Sequence, residues 1–146
     1  MSAARPAPLS RDHFPVFRKI PTRWMDVDIY GHVNNVQYLS FFDTAVNGWY
    51  VEEGILSPAT SKSIFLVVET GCHYFSELVF PEEVQAGLSI EKIGSSSVIY
   101  QIGLFRAGAD LAAAQGRFVH VLVHRQSRRP VPIGEELRAK LEMLKN

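Results

Sequence analysis

The sequence predicts an α+β fold in which one long, largely buried helix is wrapped by an antiparallel sheet of five or six strands. Two observations carry this reading. The segment from Asn35 to Glu53 is apolar along two helical stripes, and later segments alternate apolar and polar residues at the period of a strand. With 146 residues the chain can bury one core and is too short for two, so 1–146 reads as a single domain. An N-terminal extension covers 1–15 and a C-terminal helix falls within 134–146.

Val16 to Trp24 is the first expected strand. In the helix, Val36, Leu39, Phe42, Val46 and Trp49 form one stripe, and Tyr38, Phe41, Ala45 and Gly48 form another. A helix apolar on most of its surface is buried on most sides. Gly54 stands where a left-handed residue closes many helices. Next comes the continuous apolar run Ile64 to Val68, extending to about Tyr74. Val84 to Ile93 places Val84, Ala86, Leu88 and Ile90 on one face, and Val98, Tyr100, Ile102 and Leu104 alternate in the following strand. Val119, Val121 and Val123 share a face of the last strand, with His120, Leu122 and His124 opposite. Turns fall at Pro81-Glu82-Glu83, Gly94-Ser95-Ser96 and Ala107-Gly108-Ala109-Asp110, and Gly134 to Leu144 is amphipathic at helical spacing.

Lengths agree with this plan. A helix of about 19 residues spans roughly 28 Å, close to the width of five or six strands spaced about 4.8 Å apart. Such a helix covers one sheet face only. The run Ile64 to Val68, apolar on both faces, therefore points to a second subunit.

Composition removes several function classes. Net charge is zero, and no Lys/Arg cluster interleaves with aromatics, which excludes sequence-independent nucleic-acid binding. The basic run Arg125 to Arg129 is short and adjoins a proline turn, so it reads as a solvated strand end. Cys72 is the lone cysteine; it permits no intrachain disulfide and suits a reducing, cytoplasmic setting. Met1 to Pro15 lacks an apolar core and carries three prolines, so it is expected to be neither a signal peptide nor a membrane span. It is expected to be held by packing, with a neighbouring subunit as one candidate partner.

Chemistry concentrates between Arg23 and Asn35, where two carboxylates, a histidine and two amides precede the buried helix. Free N–H groups and the helix dipole there favour negative charge, or polarise a carbonyl. Spacing alone leaves a plainer role open, with Asp28 or Asn34 capping the helix and Gly31 making a turn.

The longer pattern D-x-D-x-x-G-H-V-N-N-x-x-Y, Asp26 to Tyr38, resembles the signature of hotdog-fold thioesterases of the 4-hydroxybenzoyl-CoA thioesterase-like group. The resemblance runs through the aromatic helix and the segment Tyr74 to Val84, covering roughly Val16 to Arg125. It implies a hotdog fold, a homodimer or higher homo-oligomer with sheets joined edge to edge, and active sites at the dimer interface. It also implies hydrolysis of acyl-CoA to free acid and CoA, with no cofactor and no metal.

By the same resemblance Asp28 is the catalytic carboxylate, nucleophile or general base, and the Asn35 backbone amide is the oxyanion donor. His32 braces the loop or assists proton transfer. Tyr30 and Gly31 shape the loop beside the substrate, and Tyr38 offers a hydroxyl to the pocket. Ser95, Ser96 and Ser97 fall where the family places a turn near the CoA nucleotide; some relatives use Arg or Lys there, and this chain has only Lys92 nearby. Asp26 is expected to order the turn or pair with Arg23. Rival readings are a non-catalytic acyl-CoA binding or sensor module, and an acyl-carrier-protein thioesterase.

Other polar residues are discounted. His120 and His124 lie about 13 Å apart along a strand, too far to share a metal, and read as surface or interface residues. Glu69 and His73 border an interface, and Cys72 is a structural thiol.

Overall fold

The computed structural model describes residues 5–55, 57 and 59–146. Five strands form one antiparallel sheet: β1 (Val16–Ile20), β2 (Ser63–Tyr74), β3 (Val84–Ile93), β4 (Ser97–Arg106) and β5 (Ala114–His124), in the order β1-β3-β4-β5-β2. Helix α1 (Val36–Glu52) lies across one face, and α2 (Glu135–Glu142) packs at its far end. Among the described residues no helix is long and apolar enough to cross a membrane.

The two apolar stripes of α1 account for its burial. Tyr38, Phe41, Phe42, Ala45, Val46, Trp49 and Tyr50 are all buried, against Val84, Ala86, Leu88, Tyr100, Ile102 and Phe118 of the sheet. Val36 is the exception, exposed on the first turn. Gly54 has φ +70° and its N–H donates to the Val51 carbonyl, closing the helix as expected. The Lys140 ammonium of α2 donates to the Glu53 carbonyl at 2.8 Å, placing a cation at the negative end of α1.

Two expectations need correction. The first strand stops at Ile20 instead of Trp24, because Pro21 interrupts the ladder and Trp24–Asp26 turn into a short 3₁₀ segment held by an Arg23–Asp26 pair. His120 is no surface residue. It is 1% exposed and shares the helix-facing side of β5 with Phe118 and Leu122. The Tyr50 hydroxyl sits 2.6 Å from the Tyr100 hydroxyl and 2.9 Å from His120 Nδ1, so the three polar groups satisfy one another inside the core. Burial pushes the His120 pKa down to about 4.

The sheet's outer face is covered in part by the chain's own N-terminal segment. Phe14 lies over Gly87 and Gly103, where an added Cβ would approach its ring to 2.6 and 2.7 Å. Phe14, Phe105 and Ala112 form a second small core, with Leu9 packed on it. Packing of the extension is seen at Leu9 and Phe14; residues 1–4 lie outside the described part.

Strand β2 remains at the sheet margin, hydrogen-bonded only to β5 among the described residues. Leu66, Val67 and Val68 are exposed along it, and the register slips between Val67 and Glu69, leaving Val68 as a bulge. Cys72 is half-buried on this strand, and burial pushes its thiol up to about 11, which favours the protonated form at neutral pH.

Phe14→Ala is expected to cost about 3 kcal/mol in urea denaturation, since the two glycines beneath cannot fill the space. His120 supplies a pH signature. Its folded pKa lies below the ordinary 6.5, so the unfolded chain binds the extra proton and stability falls as pH drops from about 6.5 toward about 4. Between pH 7 and 4.5, wild type is expected to lose about 2–3 kcal/mol more than His120→Phe. Equal losses would show that His120 is not held neutral by burial.

Candidate active site

The loop between β1 and α1 is folded by its own polar side chains. Asp26 is fully buried; its carboxylate accepts the Arg23 backbone N–H at 2.8 Å and two guanidinium donors at 2.8 and 3.2 Å. Its carbonyl accepts the Asn34 N–H at 2.7 Å. Both carboxylate oxygens are thus spent on Arg23, which leaves Asp26 a loop brace. The next turn closes when Asp28 N–H donates to the His32 carbonyl at 3.0 Å and Gly31 N–H to the Asp28 carbonyl at 3.2 Å. Gly31 has φ +89°, a conformation that disfavours any side chain.

Asn34 prepares the helix start. Its side-chain oxygen accepts the Val36 N–H at 3.1 Å and its backbone carbonyl the Gln37 N–H at 2.9 Å. Between them the Asn35 N–H has no partner among the described residues. Helix α1 therefore begins with its positive dipole end and an unspent donor. The Tyr74 hydroxyl, from the end of β2, donates to the Asn35 carbonyl at 3.1 Å and fixes that peptide from the other side.

Asp28 and Asn35 line one pocket of about 360 Å³. His32, Val33 and Tyr38 complete its helix-side wall, and Tyr74, Phe75, Ser76 and Glu77 form the wall opposite. One Asp28 oxygen accepts the Tyr30 N–H at 2.8 Å, while the other has no protein hydrogen bond among the described residues. The Tyr38 hydroxyl accepts the Leu78 N–H at 3.2 Å, and burial raises its pKa, so it stays neutral. His32 Nε2 lies 3.2 Å from a Glu77 carboxylate oxygen, linking the two walls.

Of the residues singled out in the sequence, Asp28, His32, Asn35 and Tyr38 converge on this pocket. Tyr30 and Gly31 form the turn beside it without lining it; the Tyr30 ring is exposed and faces that of His32. Ser95, Ser96 and Ser97 lie at the other end of the sheet. Ser97 pairs with Val121, whereas Tyr74 pairs with Ala114, a separation of roughly 23 Å along β5. Within one chain that turn does not reach Asp28. The wall Tyr74 to Glu77 went unassigned in the sequence, where it read as a strand end and connection. Two consecutive aromatics at a strand's end, Tyr74 and Phe75, were the available signal.

The thioesterase-like superfamily matches residues 22–141 of this chain. The PA5185 protein of Pseudomonas aeruginosa PAO1 is 47% identical, with a TM-score of 0.93 over 96% of this chain and 98% of that one. The PA2801 protein of Pseudomonas aeruginosa, a proposed thioesterase, is 26% identical, with a TM-score of 0.79 over 88% and 98%. The uncharacterised Bacillus subtilis protein YsmA is 25% identical over 85 residues, a match spanning 58% of this chain and 57% of that relative. With a five-stranded sheet wrapped on α1 and a family match that spans both, the chain belongs to the thioesterase-like superfamily and has the hotdog fold.

Proposed function

We propose that this protein hydrolyses an acyl-CoA to the free acid and CoA. The observation that carries the reading is the pairing, in one pocket, of a carboxylate oxygen and a helix-start amide that are both unspent by the protein. A thioester carbonyl is electrophilic and a thiolate leaves readily, so one oriented carboxylate and one oxyanion donor suffice. The carbonyl oxygen accepts the Asn35 N–H, whose helix dipole stabilises the negative charge that develops. Asp28 then either attacks the carbonyl carbon or deprotonates a water that does. In the first route the carbon–sulfur bond breaks, CoA leaves as thiolate, and water hydrolyses the mixed anhydride on Asp28. His32, tied to Glu77, keeps the Asp28 turn against the opposite wall.

The working unit in this reading is at least a homodimer, joined through β2. That strand presents an edge unpaired among the described residues and a row of exposed apolar residues, Leu66, Val67 and Val68. Pairing with a second β2 would satisfy the edge and could bring the partner's Ser-rich turn toward this pocket. The lone, partly buried Cys72 fits a reducing compartment such as the cytoplasm.

Thiol release from a panel of aromatic, short and long acyl-CoAs tests the reaction. Asp28→Asn is expected to lower kcat by about 10²-fold or more with KM little changed; equal kcat would remove Asp28 from the mechanism. Tight acyl-CoA binding by wild type without turnover would favour a binding module instead. Val68→Lys is expected to convert the dimer to monomer in light scattering, because it places a charge on the joining edge.

A further inference from the structure

We propose that the N-terminal arm carries a phosphate-recognition residue, Arg5, and that Gln115 holds it beside the active-site pocket. The inference rests on the proposed thioesterase reading and adds to it a recognition element for the anionic carrier of the acyl group. The arm is built into the sheet. Gln115 of β5 is 4% exposed, and both ends of its amide are spent on arm backbone: it accepts the Leu9 N–H at 2.7 Å and donates to the Ala7 carbonyl at 3.0 Å. Leu9 in turn accepts the Ala112 N–H at 2.9 Å, and Phe14 anchors the arm's base over Gly87 and Gly103. A buried amide that bonds the arm's backbone at both Ala7 and Leu9 fixes the arm's path there.

The described part of that path reaches two residues of the pocket wall. The Arg5 guanidinium stacks 5.1 Å from the centre of the Phe75 ring and donates through Nη2 to the Tyr74 carbonyl. Tyr74 and Phe75 are both pocket-wall residues. A guanidinium has five N–H donors in a planar fork, so one bond to a carbonyl leaves the rest of the fork for a phosphate. The cation–π contact with Phe75 restrains the side chain and lowers the ordering cost of the phosphate contact.

Charge complementarity supplies the reason. The pocket's own carboxylates, Asp28 and Glu77, repel an anionic substrate, and the Ser-rich turn lies at the far end of this chain's sheet. Arg5 places a positive charge against Tyr74 and Phe75, two residues that line that pocket. Both CoA and the phosphopantetheine arm of a carrier protein bear phosphate, and either would be recognised by this chemistry.

The test compares an acyl-CoA with the same acyl group on pantetheine, which lacks phosphate. In Arg5→Ala the ratio of KM for acyl-CoA to KM for acyl-pantetheine is expected to rise about five- to tenfold, without a selective loss of kcat on acyl-CoA. Arg5→Lys should restore part of the ratio, and Gln115→Leu should raise it by releasing the arm. Added salt should raise the ratio in wild type and change it less in Arg5→Ala. A KM change equal for both substrates, or none, would overturn the proposal and reduce the arm to a fold element. If wild type hydrolyses neither thioester, the thioesterase reading itself fails. Calorimetric titration of CoA and of pantetheine into wild type and Arg5→Ala then still reads the phosphate contact, and equal CoA affinity in the two proteins sinks it. Acyl-4′-phosphopantetheine, run alongside, separates the phosphate shared with carrier proteins from those unique to CoA.

Discussion

The burial of α1 against the concave face of the sheet is the constraint on which everything else depends. Its aromatic residues are too large and too numerous to leave the sheet once packed, so the helix axis is fixed by Phe42, Val46 and Tyr50. A fixed axis also fixes the first turn, and with it the Asn35 amide. The preceding loop then has only a short distance in which to return from β1, and Asp26, clamped by Arg23, determines its path. Asp28 reaches the pocket because of that clamp. The proposed chemistry is in this sense a consequence of core packing.

The second consequence concerns the sheet's other face. A helix can cover one side only, and an antiparallel sheet tolerates a solvated side when its residues are polar. Here Phe17 and Phe105 project outward, and the N-terminal segment covers Phe105 through Phe14 while the Arg11 guanidinium lies over both rings. The small residues Gly87 and Gly103 are the sheet's accommodation to that cover. Because the segment then runs on across β5, covering the outer face also delivers its first described residue, Arg5, to the pocket wall.

Much of this was legible in the sequence, for identifiable reasons. The helix and four of the strands follow from periodicity, because burial on one or two faces writes itself directly into residue spacing. Asp28, His32, Asn35 and Tyr38 were legible because they belong to one contiguous motif. His120 misled: its strand alternates apolar residues on the outward face, and a polar residue on the inward face reads as exposed unless Tyr50 and Tyr100 are known to meet it. Ser95 to Ser97 were assigned by resemblance, and their position at the opposite sheet end follows from strand register, which local sequence does not encode. The wall from Tyr74 to Glu77 and the contact of Arg5 with it depend on residues far apart in sequence, so no local pattern announces them.

In the proposed reaction a thioester carbonyl lies between the Asn35 amide and the Asp28 carboxylate. A crystal structure with a non-hydrolysable acyl-CoA analogue, in which a methylene separates sulfur from the carbonyl, measures this directly. The acyl oxygen is expected about 3 Å from the Asn35 nitrogen, with the carbonyl carbon facing the free Asp28 oxygen. An analogue bound with its carbonyl away from both groups, in a crystal containing the full assembly, would contradict the account.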